Sequence, residues 1–328
     1  MEILESVRIN LLSPAVLFFA LGIFAALVKS DLKFPEPLYI GLTIYLLVAI
    51  GFKGGVAFAE AGVAKVWLPA TAAMVLGALI PLWTYPVLRH IGRLPAVDAG
   101  AIAAHYGSVS AVTFIAAINY LDAIGQPYER YASAFLAVME SPAILVGIVL
   151  AKLSARQNGA PVGPALRTAL RESLSGRSVL LLVGALAIGF LAGPAGMEKV
   201  GPFFVTPFQG VLALFLLEMG TVAGRRLKDL RRVGPFLLGF GVLVPLVNGA
   251  LGVWLGQHTG LGIGGATLLG VLAASASYIA APAAIRVALP EANPTLYLTA
   301  ALAITFPFNL TLGIPFCLAL ARHLFSQT

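Results

Sequence analysis

The sequence predicts an all-α polytopic membrane protein: ten transmembrane helices in two inverted five-helix repeats, with broken helices in spans 4 and 9. Three observations carry this prediction. Hydrophobic residues make up 59% of the chain and charged residues 11%, with a mean hydropathy of +0.94; soluble domains average about 25% charged residues. Uncharged runs reach spanning length: Leu11–Val28 over 18 residues, Val233–Gln257 over 25 and Pro294–Ala321 over 28, each enough to cross about 30 Å of hydrocarbon. Two serine pairs, Ser108-Val109-Ser110 and Ser275-Ala276-Ser277, interrupt apolar spans at an offset of 167 residues in a chain of 328. Lipid cannot satisfy backbone groups freed by a break, so breaks survive only where protein or a watery cavity does.

Taken in order, the spans fall at 11–28, 37–52, 66–88, 99–121, 131–151, 178–197, 203–224, 233–257, 261–285 and 294–321. The second is short, and Lys53-Gly54-Gly55 and Glu60, which follow it, are expected to line the outer mouth. The ninth and tenth are long enough to tilt or break. With the N-terminus outside, 15 of the 21 Lys and Arg residues fall in inward loops, including Lys152, Arg156, Arg167, Arg171 and Arg177 in the central one and Arg225 to Arg232 in another. Basic loops stay on the cytoplasmic side, which puts both termini on the outer face. The central loop, 152–177, separates a first repeat (1–151) from a second (178–328). An odd number of spans per half forces opposite orientations, and matched interruptions in the two halves point to a binding site at the midplane.

Span four reads Ala104-His105-Tyr106-Gly107-Ser108-Val109-Ser110, and span nine reads Ser275-Ala276-Ser277-Tyr278 with Pro282 beyond. Gly and Ser tolerate non-helical backbone and offer hydroxyls to it. Pro282 suits the first turn of a new helix. If both spans break, two helix N-termini face the midplane, each with free N–H donors and about half a positive charge. Gly107, Ser108, Val109 and Ser110 with Ala276, Ser277 and Tyr278 are then candidates to bind a small anion without any Lys or Arg. The competing reading is helix packing through small residues.

Glu140 lies near the centre of span five, in Met139-Glu140-Ser141-Pro142. An ionised acid there costs about 3 kcal/mol, so a cation, a proton or local hydrogen bonds must compensate. Pro142 has no N–H for the carbonyl four residues back. A carboxylate, a freed carbonyl and hydroxyls suit a hard cation such as Na⁺, and span ten supplies Thr305, Asn309 and Thr311. His105 is read as a backbone cap rather than a ligand.

Other classes recede. Cys317 is the lone cysteine, excluding an intrachain disulfide and a cysteine metal cluster. The net charge of +7 comes from loop residues that set topology, so no nucleic-acid partner is expected. The start, with Glu2 and Glu5, is unlike the basic n-region of a secretory signal. No phosphate-binding loop or zinc motif is present, and no enzyme activity is expected.

The second half resembles the cyanobacterial sodium-dependent bicarbonate transporter family, through Ala273-Ala274-Ser275-Ala276-Ser277, Pro282, Arg286, Pro290, Ala292-Asn293-Pro294, Tyr297, Pro307 and Ile314-Pro315. In the first half Gly51, Gly54-Gly55, Ser110, Thr113 and Met139-Glu140-Ser141-Pro142-Ala143 fall in matching order. The resemblance implies a core of spans 3–5 and 8–10 and a gate of spans 1, 2, 6 and 7. It implies bicarbonate at the crossing of spans four and nine, Na⁺ as coupling ion, a homotrimer, a PII-like cytoplasmic regulator and a place in the inner membrane. By position, Ser110, Thr113 and Ser275 join Glu140, Thr305 and Asn309 as candidate Na⁺ ligands. Tyr278 stands where the cyanobacterial proteins carry Asp, and Val112 where they carry Ser. Two alternatives stay open: another small anion such as a carboxylate, or H⁺ coupling through Glu140. From a different class, an anion-binding membrane receptor or scaffold fits the same residues.

Overall fold

The computed structural model describes residues 2–154, 167–168, 171 and 174–327. The predicted central loop falls largely outside them, Arg156 included. Every regular element among the described residues is helical. Among the described residues seven helical segments are long and apolar enough to cross a membrane, and two shorter apolar helices, Pro14–Leu27 and Ile263–Ala274, accompany them. The chain is thus a multi-pass membrane protein by composition and helix length.

In chain order the helices are α1 (Glu2–Leu11), α2 (Pro14–Leu27), α3 (Glu36–Ala61), α4 (Val63–Pro86), α5 (Ala96–Gly107), α6 (Ala111–Ala123) and α7 (Ser133–Ser154). There follow α8 (Arg177–Phe204), α9 (Phe208–Arg226), α10 (Leu230–His258), α11 (Ile263–Ala274), α12 (Ala281–Ala288) and α13 (Pro294–Phe325). Gly193 in α8 and Gly234 in α10 take left-handed backbone, each directly before a proline. Only glycine adopts that geometry at little cost, so both helices kink there. α13 is continuous but passes through two π-helical stretches, Thr299–Thr305 and Asn309–Gly313.

The second span is not short. α3 runs 26 residues and carries Lys53, Gly54 and Gly55 inside the helix. The charge that seemed to end the span is accommodated: Lys53 Nζ sits 4.7 Å from the centroid of the Phe208 ring, a favourable cation–π geometry. Gly54 lies against Ser133, and Gly55 against the Leu186 backbone.

Close packing follows small-residue faces. α3 packs most extensively on α8, and α2 on α9. Gly51 and Gly55 press α3 onto the backbone at Leu182 and Leu186; Gly220 and Gly224 press α9 onto the Phe19 and Ile23 turns of α2. A third pair, Gly252 and Gly256, seats α10 on α11. In each pair the glycines are four residues apart, which opens one face for backbone contact where lipid supplies no hydrophobic drive. A second grouping joins α4 and α5 to α7, and α10 to α11 and the end of α13. Asn10 of α1 donates to the Leu310 carbonyl at 2.6 Å, tying the first helix to the second π-helical stretch.

Candidate functional site

Both serine pairs break their helices. α5 ends at Gly107 and Ser108 turns extended (φ −78, ψ 169); α11 ends at Ala274 and Ser275 turns extended in almost the same way (φ −85, ψ 164). The chain restarts as α6 with Ser110 as its N-cap, whose hydroxyl accepts the Thr113 N–H at 3.2 Å and the Thr113 hydroxyl at 2.9 Å. On the other side the Ser277 hydroxyl accepts the Ala281 N–H at the start of α12. Capping explains Ser110; Ser277, three residues before the Ala280 N-cap, satisfies an orphan donor of α12 from the preceding extended stretch.

The two breaks also satisfy each other. Ser110 N–H donates to the Ser275 hydroxyl at 2.9 Å, and Ser277 N–H donates to the His105 carbonyl at 2.8 Å. Ser275 in turn donates to the Leu272 carbonyl at 2.8 Å. Interrupted backbone deep in an apolar protein is stable only with such accounting. Ser108, Ser110, Ser275 and Ser277 are each 3% exposed or less.

A narrow cavity of about 30 Å³, roomy enough for water, lies beside this crossing. Val109, Ser110, Ser277, Tyr278 and Glu140 all line it. So do Ala111, Val112, Ile279 and Ala280, which put the first turn of α6 and the approach to α12 in its wall. The orphan N–H groups of a helix start fall on its first residues, so at α6 they fall on Ala111 and Val112. Among the described residues no lysine or arginine lines the cavity, and Glu140, 5% exposed, is its one acidic side chain. Tyr278 rests edge-on against Phe306 at 5.3 Å; its hydroxyl nears Ser110 without completing a hydrogen bond.

The remaining predicted residues sort by distance from this cavity. Gly107, Ser108 and Ala276 are buried behind its wall rather than lining it, with Gly107 packed on Pro81. Thr113 and Ser275 reach it through Ser110. Asn309 donates to the Ala274 carbonyl at 2.7 Å, the last carbonyl of α11, while its Oδ1 is buried without a partner. Thr305 stands apart, between the Tyr106 hydroxyl and the Gly241 carbonyl, each at 2.7 Å. His105 is held by Ala101 O at 2.6 Å and stacked on Tyr297 at 4.5 Å. Among the described residues no three His, Cys, Asp or Glu side chains converge as a metal site, so a cation here would meet hydroxyls, amide carbonyls and a single carboxylate.

Sequence reasoning did not single out Thr43, Leu182 and Phe215, which close the cavity from α3, α8 and α9. Their signal was faint: Thr43 begins a face at Leu46, Leu47 and Ile50, at helical spacing.

Compared with known proteins, residues 14–322 match the family model described as the Na⁺-dependent bicarbonate transporter superfamily. No curated protein matches the chain.

Proposed function

The chain belongs to the Na⁺-dependent bicarbonate transporter superfamily, and from that premise we propose that it takes up bicarbonate together with Na⁺ by alternating access. One observation carries the proposal: the start of α6 and the approach to α12, tied together by the Ser110–Ser275 and Ser277–His105 hydrogen bonds, share a cavity with a buried acid. Helix starts favour an anion; a buried carboxylate favours a cation or proton beside it. An inside-negative potential opposes entry of one anion by about 2.3 kcal/mol per 100 mV. One Na⁺ moving with it cancels that charge, so coupling has an electrical reason.

In this reading bicarbonate meets the first turn of α6 and the Ser277 side of the second break. Na⁺ sits toward Glu140, Ser110, Thr113, Ser275 and the free Asn309 oxygen. Thr305, engaged with Tyr106 and Gly241, braces α13 against α10.

The packing supports ten spans in inverted repeats. Exchanging the first five spans for the last five turns the α3–α8 pair into the α9–α2 pair, and these are the two most extensive contacts. The glycine pairs obey the same exchange, Gly51/Gly55 for Gly220/Gly224. Two ties across the halves match as well: Asn293 N–H to Asp98 Oδ1 at 2.7 Å, and Gly262 N–H to Glu129 Oε1 at 2.8 Å. The α2, α3, α8, α9 group would be the gate and the rest the moving core. Both termini would lie outside the inner membrane. A homotrimer and a PII-like regulator rest on the family resemblance.

Purified protein in liposomes, loaded with and without an inward Na⁺ gradient, tests the reading. Labelled bicarbonate should accumulate only with the gradient. Accumulation driven by a proton gradient alone would favour coupling through Glu140, the cavity's one carboxylate. Binding without flux would favour a receptor.

A further inference from the structure

A second, wider cavity of about 400 Å³ lies farther along the same helices. Thr43 and Leu47 of α3 line the narrow cavity, and Ile50, Lys53, Ala57 and Glu60 the wider one. Steps of three and four residues keep them on one helical face. α6 does the same from Ile115 to Ile118 and Asp122, and α7 from Leu136 to Ser133. The two cavities therefore lie in line along the same helix faces, and the residues between them (Leu47 to Ile50, Ile115 to Ile118) are apolar.

The charges in the wider cavity are not equivalent. Glu60, Asp122, Arg130 and Glu198 are exposed, whereas Lys53 is partly withdrawn from solvent. Exposed charges are screened over about 8 to 10 Å in physiological salt, partly buried ones much less. Lys53 also lies seven residues inward of Glu60, about 10 Å along the helix. The Phe208 ring holds its ammonium from α9. Ser133 of α7 lines the same cavity where α7 meets Gly54, and its hydroxyl is buried at 2% residue exposure with no hydrogen-bond partner. A donor-only ammonium and an unused hydroxyl lining one cavity match an oxyanion. The narrow cavity contains no cation of its own, so a collecting charge has to stand elsewhere on the route.

We infer that Lys53 and Ser133 form an anion-collecting station for small oxyanions, between the solvent-facing mouth and the site at the helix breaks. The inference deepens the transport reading and rests on it for the anion's destination. Lys53 belongs to α3 and Ser133 to α7, so an anion held between them straddles the proposed gate and core, and relative motion of the two would release it inward.

Lys53→Cys in a Cys317→Ala background tests the station, read by labelled bicarbonate uptake. KM should rise about fivefold, the loss expected for about 1 kcal/mol of attraction, with kcat little altered. A cationic methanethiosulfonate should restore KM and an anionic one should not. Equal effects of the two reagents, or an unaltered KM, would overturn the station. A second readout is independent of transport. At Ala57→Cys, which lines the same cavity, the anionic reagent's rate relative to the cationic one should fall about fivefold when Lys53→Gln is added. An unaltered ratio overturns the station even if uptake is robust. Absent bicarbonate uptake with a ratio that does fall removes the transport reading and keeps the station.

Discussion

The backbone N–H of Ser110 donates to the Ser275 hydroxyl at 2.9 Å, so a donor freed by the break in one half of the chain is satisfied by a side chain from the other half. The Ser277 N–H completes the exchange on the His105 carbonyl at 2.8 Å. The breaks are thus a single joint, and neither is complete alone.

Ser275→Ala should leave the Ser110 N–H buried and unpaired, at a cost of about 1–3 kcal/mol. Thermal unfolding in detergent should show a lower Tm than the wild type. Ser277→Ala removes the acceptor of the Ala281 N–H rather than a cross-link and should cost about 1 kcal/mol, while weakening bicarbonate binding. Equal Tm values for Ser275→Ala and the wild type would mean the cross-link is not a stabilising contact.

Glu140→Gln keeps the size of a side chain that is 5% exposed and removes its charge. The half-saturating Na⁺ concentration should rise at least about tenfold, equivalent to about 1.4 kcal/mol. The Tm should not fall, since an ionised acid at the bilayer centre is itself costly. Na⁺ dependence that survives the substitution would remove Glu140 from the cation site.

Thr305→Val breaks the Tyr106–Thr305–Gly241 chain. A stability loss of about 1 kcal/mol is expected, with the Na⁺ dependence of uptake intact, because Thr305 does not line the cavity. Asn309→Ala, which frees the Ala274 carbonyl next to Ser275, should alter Na⁺ dependence. Measuring Na⁺ dependence of uptake in both variants separates a brace from a ligand.

Gly220→Val would drive a side chain into the Phe19 carbonyl on α2. Overpacking of this kind costs about 1–3 kcal/mol, read as a lower Tm. Gly41→Ala, with nothing within 4 Å of the added carbon, should be neutral or slightly stabilising, since alanine favours helix over glycine. A Tm unaffected by Gly220→Val would mean α2 and α9 separate without loss.

The sequence itself determined the solvent of this protein, the interruptions and the unusual acid. Long uncharged runs, serine pairs at matching places and Glu140 in an apolar stretch each carry a cost that lipid does not relieve, so each is visible one residue at a time. Lys53 misled for the same reason: a charge reads as the end of a span, and only the Phe208 ring from a distant helix lets α3 continue past it. Tertiary structure alone decided which polar groups meet. Ser110 finds Ser275, Asn309 finds the Ala274 carbonyl, and Thr305 is drawn off to Tyr106 and Gly241. Hydrogen-bond partners more than thirty residues apart depend on how helices cross. Those crossings are set by glycine faces such as Gly51/Gly55 and Gly220/Gly224, whose partners the sequence does not name.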